Sequence, residues 1–66
     1  MILVESSTIR GFEQKEENLI VEFKNGRKYE YEKVPKELVE AFEKSESKGK
    51  FLNQNIKNKF ECKRLQ

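Results

Sequence analysis

Four consecutive residues, Ser47-Lys48-Gly49-Lys50, hold the densest functional chemistry in the chain: a hydroxyl, two ammonium groups and a glycine. That set suits an anion. If Ser47 precedes a helix, free backbone N–H groups and the positive end of the helix dipole face outward there, and carboxylates ordinarily take such positions. Lysines in their place imply that an external anion, such as a phosphate, brings the negative charge, and Gly49 lets it approach the backbone. The structural alternative is that Ser47 only caps, Gly49 relieves a packing contact, and Glu43 or Glu46 offsets the lysines. The run is not a Walker loop, because the upstream glycine and the strand–loop–helix spacing are missing. Lys57, Lys59, Lys63 and Arg64 prolong the basic segment, with Asn53 and Asn55 as polar contacts within it. Convergent, these side chains would follow a nucleic-acid backbone. Scattered, they are a solvated helix face and a basic tail.

A second candidate is Tyr29-Glu30-Tyr31. Residues two apart in a strand share a face, so the tyrosines form one aromatic surface. On an open sheet they would stack single-stranded bases, worth about 1–3 kcal/mol each. On a covered sheet they belong to the core.

Other chemistries lack their side chains. The chain has no histidine, and all 12 acidic residues are glutamates. Ser6 and Ser7 therefore have no base to activate a nucleophile, and a turn role suits them. Cys62, the single cysteine, lacks an imidazole partner and excludes an internal disulfide. No structural zinc set is available, so neither metal nor cofactor is expected. The reading is a non-catalytic domain.

The net charge of +2 conceals a division. Residues 1–47 carry eight lysines and arginines against eleven glutamates, a net of −3, whereas residues 48–66 carry six against one, a net of +5. Such asymmetry marks a nucleic-acid or acidic-partner surface, or serves solubility. No segment has the length to span a bilayer, the opening residues do not read as a signal peptide, and a free thiol suits a reducing cytoplasm.

Sixty-six residues amount to one domain near the lower limit for folding without staples. Ile2-Leu3-Val4 reads as a buried strand, broken by Glu5-Ser6-Ser7-Thr8, whose hydroxyls hold local backbone in a turn. Residues 9–14 alternate loosely around Phe12, and residues 15–18 form a hairpin connection. Leu19-Ile20-Val21-Glu22-Phe23 is the strongest strand. It turns at Asn25-Gly26 and returns over residues 27–33. Pro35 then suits a first helical turn, and Leu38, Val39 and Phe42 make one apolar stripe ending near Ser45. Ser47 can cap a second helix that buries Phe51, Leu52 and Ile56, and Phe60-Glu61-Cys62 can close the sheet. The expected architecture is α+β: a small antiparallel sheet of hairpins, packed on one face by two short C-terminal helices.

Register decides where the tyrosines point. A two-residue loop at Asn25-Gly26 pairs Phe23 with Lys28 and splits the apolar residues across both faces. A three-residue loop, Lys24-Asn25-Gly26, pairs Val21 with Tyr29 and Leu19 with Tyr31, gathering the apolar residues on one face. A slip by one residue reverses every side chain, so the coherent pattern is favoured, with Gly26 in a bulged turn. The tyrosines then lie on the helix-covered side, chiefly as scaffold.

Several of these residues together resemble the KTSC domain family. They are Ser6-Ser7 before Ile9, the spaced Leu19, Val21 and Phe23, Gly26, Tyr29-x-Tyr31 and Val34-Pro35. Ser47-Lys48-Gly49-Lys50-Phe51 with Asn53 and Ile56 completes the set. The likeness runs from about Leu3 to Leu65, which implies a single KTSC-like domain over residues 1–66. The family is named for its place at the C-terminus of some lysyl-tRNA synthetases, and it also occurs free-standing. It has no established activity, and its attachment to a tRNA enzyme implies RNA as a ligand. Two functions are thus expected: binding of RNA, as tRNA or single strands, or interaction with an acidic protein surface.

Overall fold

The β-branched and aromatic run at residues 19–23 occupies the centre of the sheet, as its composition requires. In the computed structural model, which describes residues 1–4 and 6–65, five antiparallel strands follow one another in chain order. They are β1 (Ile2–Leu3), β2 (Ile9–Lys15), β3 (Asn18–Phe23), β4 (Lys28–Tyr31) and β5 (Cys62–Arg64). Helix α1 (Lys36–Lys44) and helix α2 (Lys48–Phe51), which continues into a π-helical turn at Leu52–Ile56, lie between β4 and β5. This is the expected α+β arrangement.

The β3–β4 hairpin takes the three-residue loop. Leu19 pairs with Tyr31 and Val21 with Tyr29. The Phe23 N–H donates to the Arg27 carbonyl at 2.8 Å, and the Gly26 N–H to the Phe23 carbonyl at 3.0 Å. Gly26 has φ +92°, a region that β-carbon sterics close to most residues. The Asn25 side chain accepts from the Arg27 N–H at 3.0 Å, the local bond that makes asparagine a turn residue.

This register puts Phe12, Val21 and Tyr29 on one face, where the helices cover them. Ile9, Leu19, Val21, Tyr31, Val39, Phe42, Leu52 and Ile56 form the buried cluster. Phe42 sits at its middle, edge-on to Phe12 with ring centroids 5.1 Å apart. Helix α1 has Val39 and Phe42 buried, as the stripe implied. Each such side chain contributes about 1.5–3 kcal/mol.

Four expectations need correction. Ile2 and Leu3 form a strand, yet they are 51% and 72% exposed, because β1 is a two-residue strand at the sheet edge that pairs only with β2. Of that run Val4 alone packs on the core. Pro35 is one residue ahead of α1, where its carbonyl accepts from the Leu38 and Val39 N–H groups. The Ser47 side chain makes no capping bond. The closing strand begins at Cys62, because Phe60 leaves the sheet line to pack on the core. Glu5 of the polar break lies outside the described residues. Within that break the Ser6 hydroxyl accepts from the N–H groups of Thr8 and Ile9, both at 3.2 Å, as a turn residue should.

Gly11 has a packing reason to be glycine. A β-carbon there would stand 2.7 Å from the Ile2 carbonyl oxygen, so β1 lies against β2 only because that atom is missing.

Candidate functional site

Three segments distant in sequence meet over one end of the helix-covered face and enclose a groove of about 770 Å³. The sheet supplies its floor through Phe23, Tyr29, Tyr31 and Cys62. One wall is the loop at residues 6–8, held over the hairpin by the Lys24 N–H donating to the Thr8 carbonyl at 2.9 Å. The other wall is the second helix, which presents Ser47, Gly49, Lys50, Leu52 and Asn53, followed by Lys57, Asn58 and Phe60.

The π-helical turn shapes that second wall. The Lys57 N–H reaches back five residues to the Leu52 carbonyl at 2.7 Å. Leu52 and Ile56 are buried, while Asn53 and Lys57 are exposed and line the groove. Carbonyls loosened by such a turn need other donors, and the Asn55 amide donates to the Phe51 carbonyl at 3.3 Å. Turns of this kind are frequent at functional sites. Asn58 ends the segment at φ +69°, a conformation asparagine tolerates better than most residues.

Tyr29 and Tyr31 answer the question of core or platform differently. Tyr31 is 4% exposed and belongs to the buried cluster. Tyr29 is half-buried, held edge-on by Phe23 with centroids 5.6 Å apart, and keeps part of its ring toward the groove. Burial pushes the Tyr31 hydroxyl up to about 12, with the nearby Cys62 and Tyr29 adding to the shift. Burial also pushes the Cys62 thiol up. Both groups therefore keep their protons at neutral pH, and the charge of the groove comes from Lys50 and Lys57. Among the described residues that line it there is no carboxylate.

Of the residues singled out in the sequence, the fold gathers Ser47, Gly49, Lys50, Asn53 and Lys57 around the groove with both tyrosines. It does not gather the rest of the basic segment. Lys48 turns back, its ammonium donating to the Ser45 carbonyl at 2.8 Å. Lys63 pairs with Glu30 across β4–β5, on the face away from the helices, and its Nζ lies 3.5 Å from Glu32 Oε1. Lys59 is exposed beyond the groove. Arg64 lies opposite Tyr29, so its side chain leaves the sheet on the groove side, though outside the groove itself. The hydroxyl wall at residues 6–8, Asn58 and Phe60 were not read as site residues. Their only sequence signal was polarity in a loop, or one aromatic after a helix.

A five-stranded antiparallel meander with two short helices on one face, and a groove between helix, loop and hairpin, defines a small α+β domain. The chain belongs to the KTSC family: the KTSC domain model matches residues 5–60. It is 43% identical over 63 residues to a lysine–tRNA ligase of Nostoc punctiforme, covering 92% of this chain but 11% of the ligase. The chain thus spans about a tenth of that relative's length. It is also 38% identical to an uncharacterized protein of Stutzerimonas stutzeri, over 85% of this chain and 82% of that one. Among solved structures, a KTSC domain protein from Yersinia pestis superposes with a TM-score of 0.86 at 31% identity, covering 97% of this chain and 93% of the other.

Proposed function

We propose that this domain binds RNA in the groove, with Lys50 and Lys57 near phosphate and the aromatic floor against bases. The observation that carries the reading is the composition of the groove. In a chain with 12 acidic residues, the described lining combines aromatic rings, hydroxyls, amides and two lysines without a carboxylate. Phosphate is drawn to the lysines, bases to the rings, and sugar hydroxyls to the serine and threonine wall. The presence of a similar domain within a lysine–tRNA ligase supports RNA as the class of ligand.

The test is an amide NMR titration with total tRNA and with short single-stranded RNA, each at low and high salt. Shifts confined to the groove segments, and weaker at high salt, are expected. No shift at low salt with either RNA rejects the proposal. Equal displacement of RNA by polyglutamate would assign the groove to an acidic protein surface instead.

A further inference from the structure

The groove takes in only part of the basic segment, and that part is small. Lys50 and Lys57 line it, Lys48 is spent on the Ser45 carbonyl, and Lys63 lies on the opposite face of the sheet. A channel that follows a strand needs a row of cations spaced along it. This groove has two, and its volume of about 770 Å³ falls within the range of pockets that enclose one small ligand.

Gly49 gives a second, independent observation. At this helical position it has no positive φ, and a β-carbon would meet Thr8 at 3.6 Å, an ordinary contact. Packing therefore does not demand glycine here, in contrast to Gly11, and alanine is the better helix former. A methyl group would, however, fill the narrow space between the second helix and Thr8, and so reduce the groove on a side that both residues line.

Resting on the RNA reading above, we infer that the groove is a pocket for one unstacked nucleotide rather than a channel for a strand. Tyr29 and Phe60 form the apolar side for the base. The Asn53 amide offers both a donor and an acceptor to the base edge. Lys50 and Lys57 serve the phosphate, and the hydroxyls of Ser6, Ser7 and Thr8 face the ribose. The ligand class is a nucleoside monophosphate unit, free or as an extruded residue or end of an RNA.

The test titrates the full chain with adenosine monophosphate, uridine monophosphate and a short oligouridylate, following amide shifts and measuring oligonucleotide affinity against salt. A mononucleotide should shift the same groove amides as the oligonucleotide. The logarithmic salt slope for the oligonucleotide should lie between about −0.7 and about −1.4, the values for one and two neutralised phosphates on a single strand. Gly49→Ala should raise the melting midpoint and weaken both ligands several-fold. An oligonucleotide that binds with a slope near −4, as about six contacts would give, while mononucleotides shift nothing, overturns the pocket and leaves RNA binding standing. If neither ligand binds, both readings fall. If Gly49→Ala melts higher and binds as before, the side of the groove lined by Gly49 and Thr8 meets no ligand and the pocket is refuted.

Discussion

The two ends of strand β3 carry opposite chemistry. At Phe23 lies the groove, lined by aromatic rings, hydroxyls and two lysines. At Asn18 lies a smaller cleft of about 550 Å³, lined by Glu16, Glu17, Glu32 and Glu61 with a single lysine, Lys33. The acidic cleft also joins segments far apart in sequence: residues 16–18 at the β2–β3 connection, residues 32–33 after β4, and Glu61 before β5. Asn18 ties them together, donating to Glu30 at 2.7 Å and accepting from the Lys33 N–H at 3.2 Å. The groove needs the first loop, the hairpin and the last helix at once. A net charge of +2 describes neither end. The contrast teaches that charge in a small domain is organised by the sheet, which sends the ends of one strand to separate surfaces.

The strongest test of this comparison removes what the two ends share. Phe42 is fully buried between Phe12 and Phe51, and Phe42→Ala should cost about 3–5 kcal/mol, a large part of the stability of a domain this small. A single melting transition, displaced far downward by circular dichroism, is expected. Two separate transitions would mean that the ends fold as independent units.

Charge reversal at each end should sharpen the difference. Lys50→Glu with Lys57→Glu is expected to reduce RNA affinity roughly ten- to a hundredfold, read by fluorescence anisotropy at about 0.15 M salt, where the Debye length is about 8 Å. Glu16→Lys with Glu17→Lys should change it by no more than about threefold, because screening isolates charges separated by more than a Debye length. Equal losses from the two pairs would make the groove no more than a share of the overall charge.

The smallest effect is read at high pH. Tyr31 ionises near 10 when unfolded and is pushed up to about 12 in the fold. Its folded pKa is the higher one, so its contribution to stability is complete below pH 10 and is lost as pH rises from about 10 through about 12. Near pH 11 the loss should be about 1 kcal/mol. Tyr31→Phe should flatten that part of a denaturation series. An unchanged slope would remove the tyrosine from the buried floor of the groove.

Much of the fold was legible because its rules are local. The spacing of Leu19, Val21 and Phe23, the Asn25-Gly26 turn and the parity of Tyr29 and Tyr31 together favoured the bulged hairpin, since a two-residue loop splits the apolar residues across both faces. The stripe of Leu38, Val39 and Phe42 announced α1 in the same way. The candidate site was legible only in part. Ser47, Gly49, Lys50, Asn53 and Lys57 were found through their chemistry, but nothing local says that Ser7 and Thr8 form the facing wall. That depends on a bond from Lys24 to Thr8, between segments joined only by the folded sheet. The exposure of Ile2 and Leu3 was hidden for a related reason, because an apolar run does not tell whether its strand is central or at an edge.

By itself the sequence determined the class of fold and the concentration of positive charge after residue 47, and it favoured the hairpin register that puts both tyrosines on the helix-covered side of the sheet. These follow from side-chain period and turn stereochemistry, which act over a few residues. Only the tertiary structure decided that Lys50 and Lys57 share a groove while Lys48 and Lys63 turn elsewhere, and that one tyrosine is core while the other stays half-buried in the groove floor. Those outcomes depend on the π-helical turn, on the pairing of β5 with β4 and on where the first loop docks. The last two are long-range contacts whose free energy exists only once the core has formed.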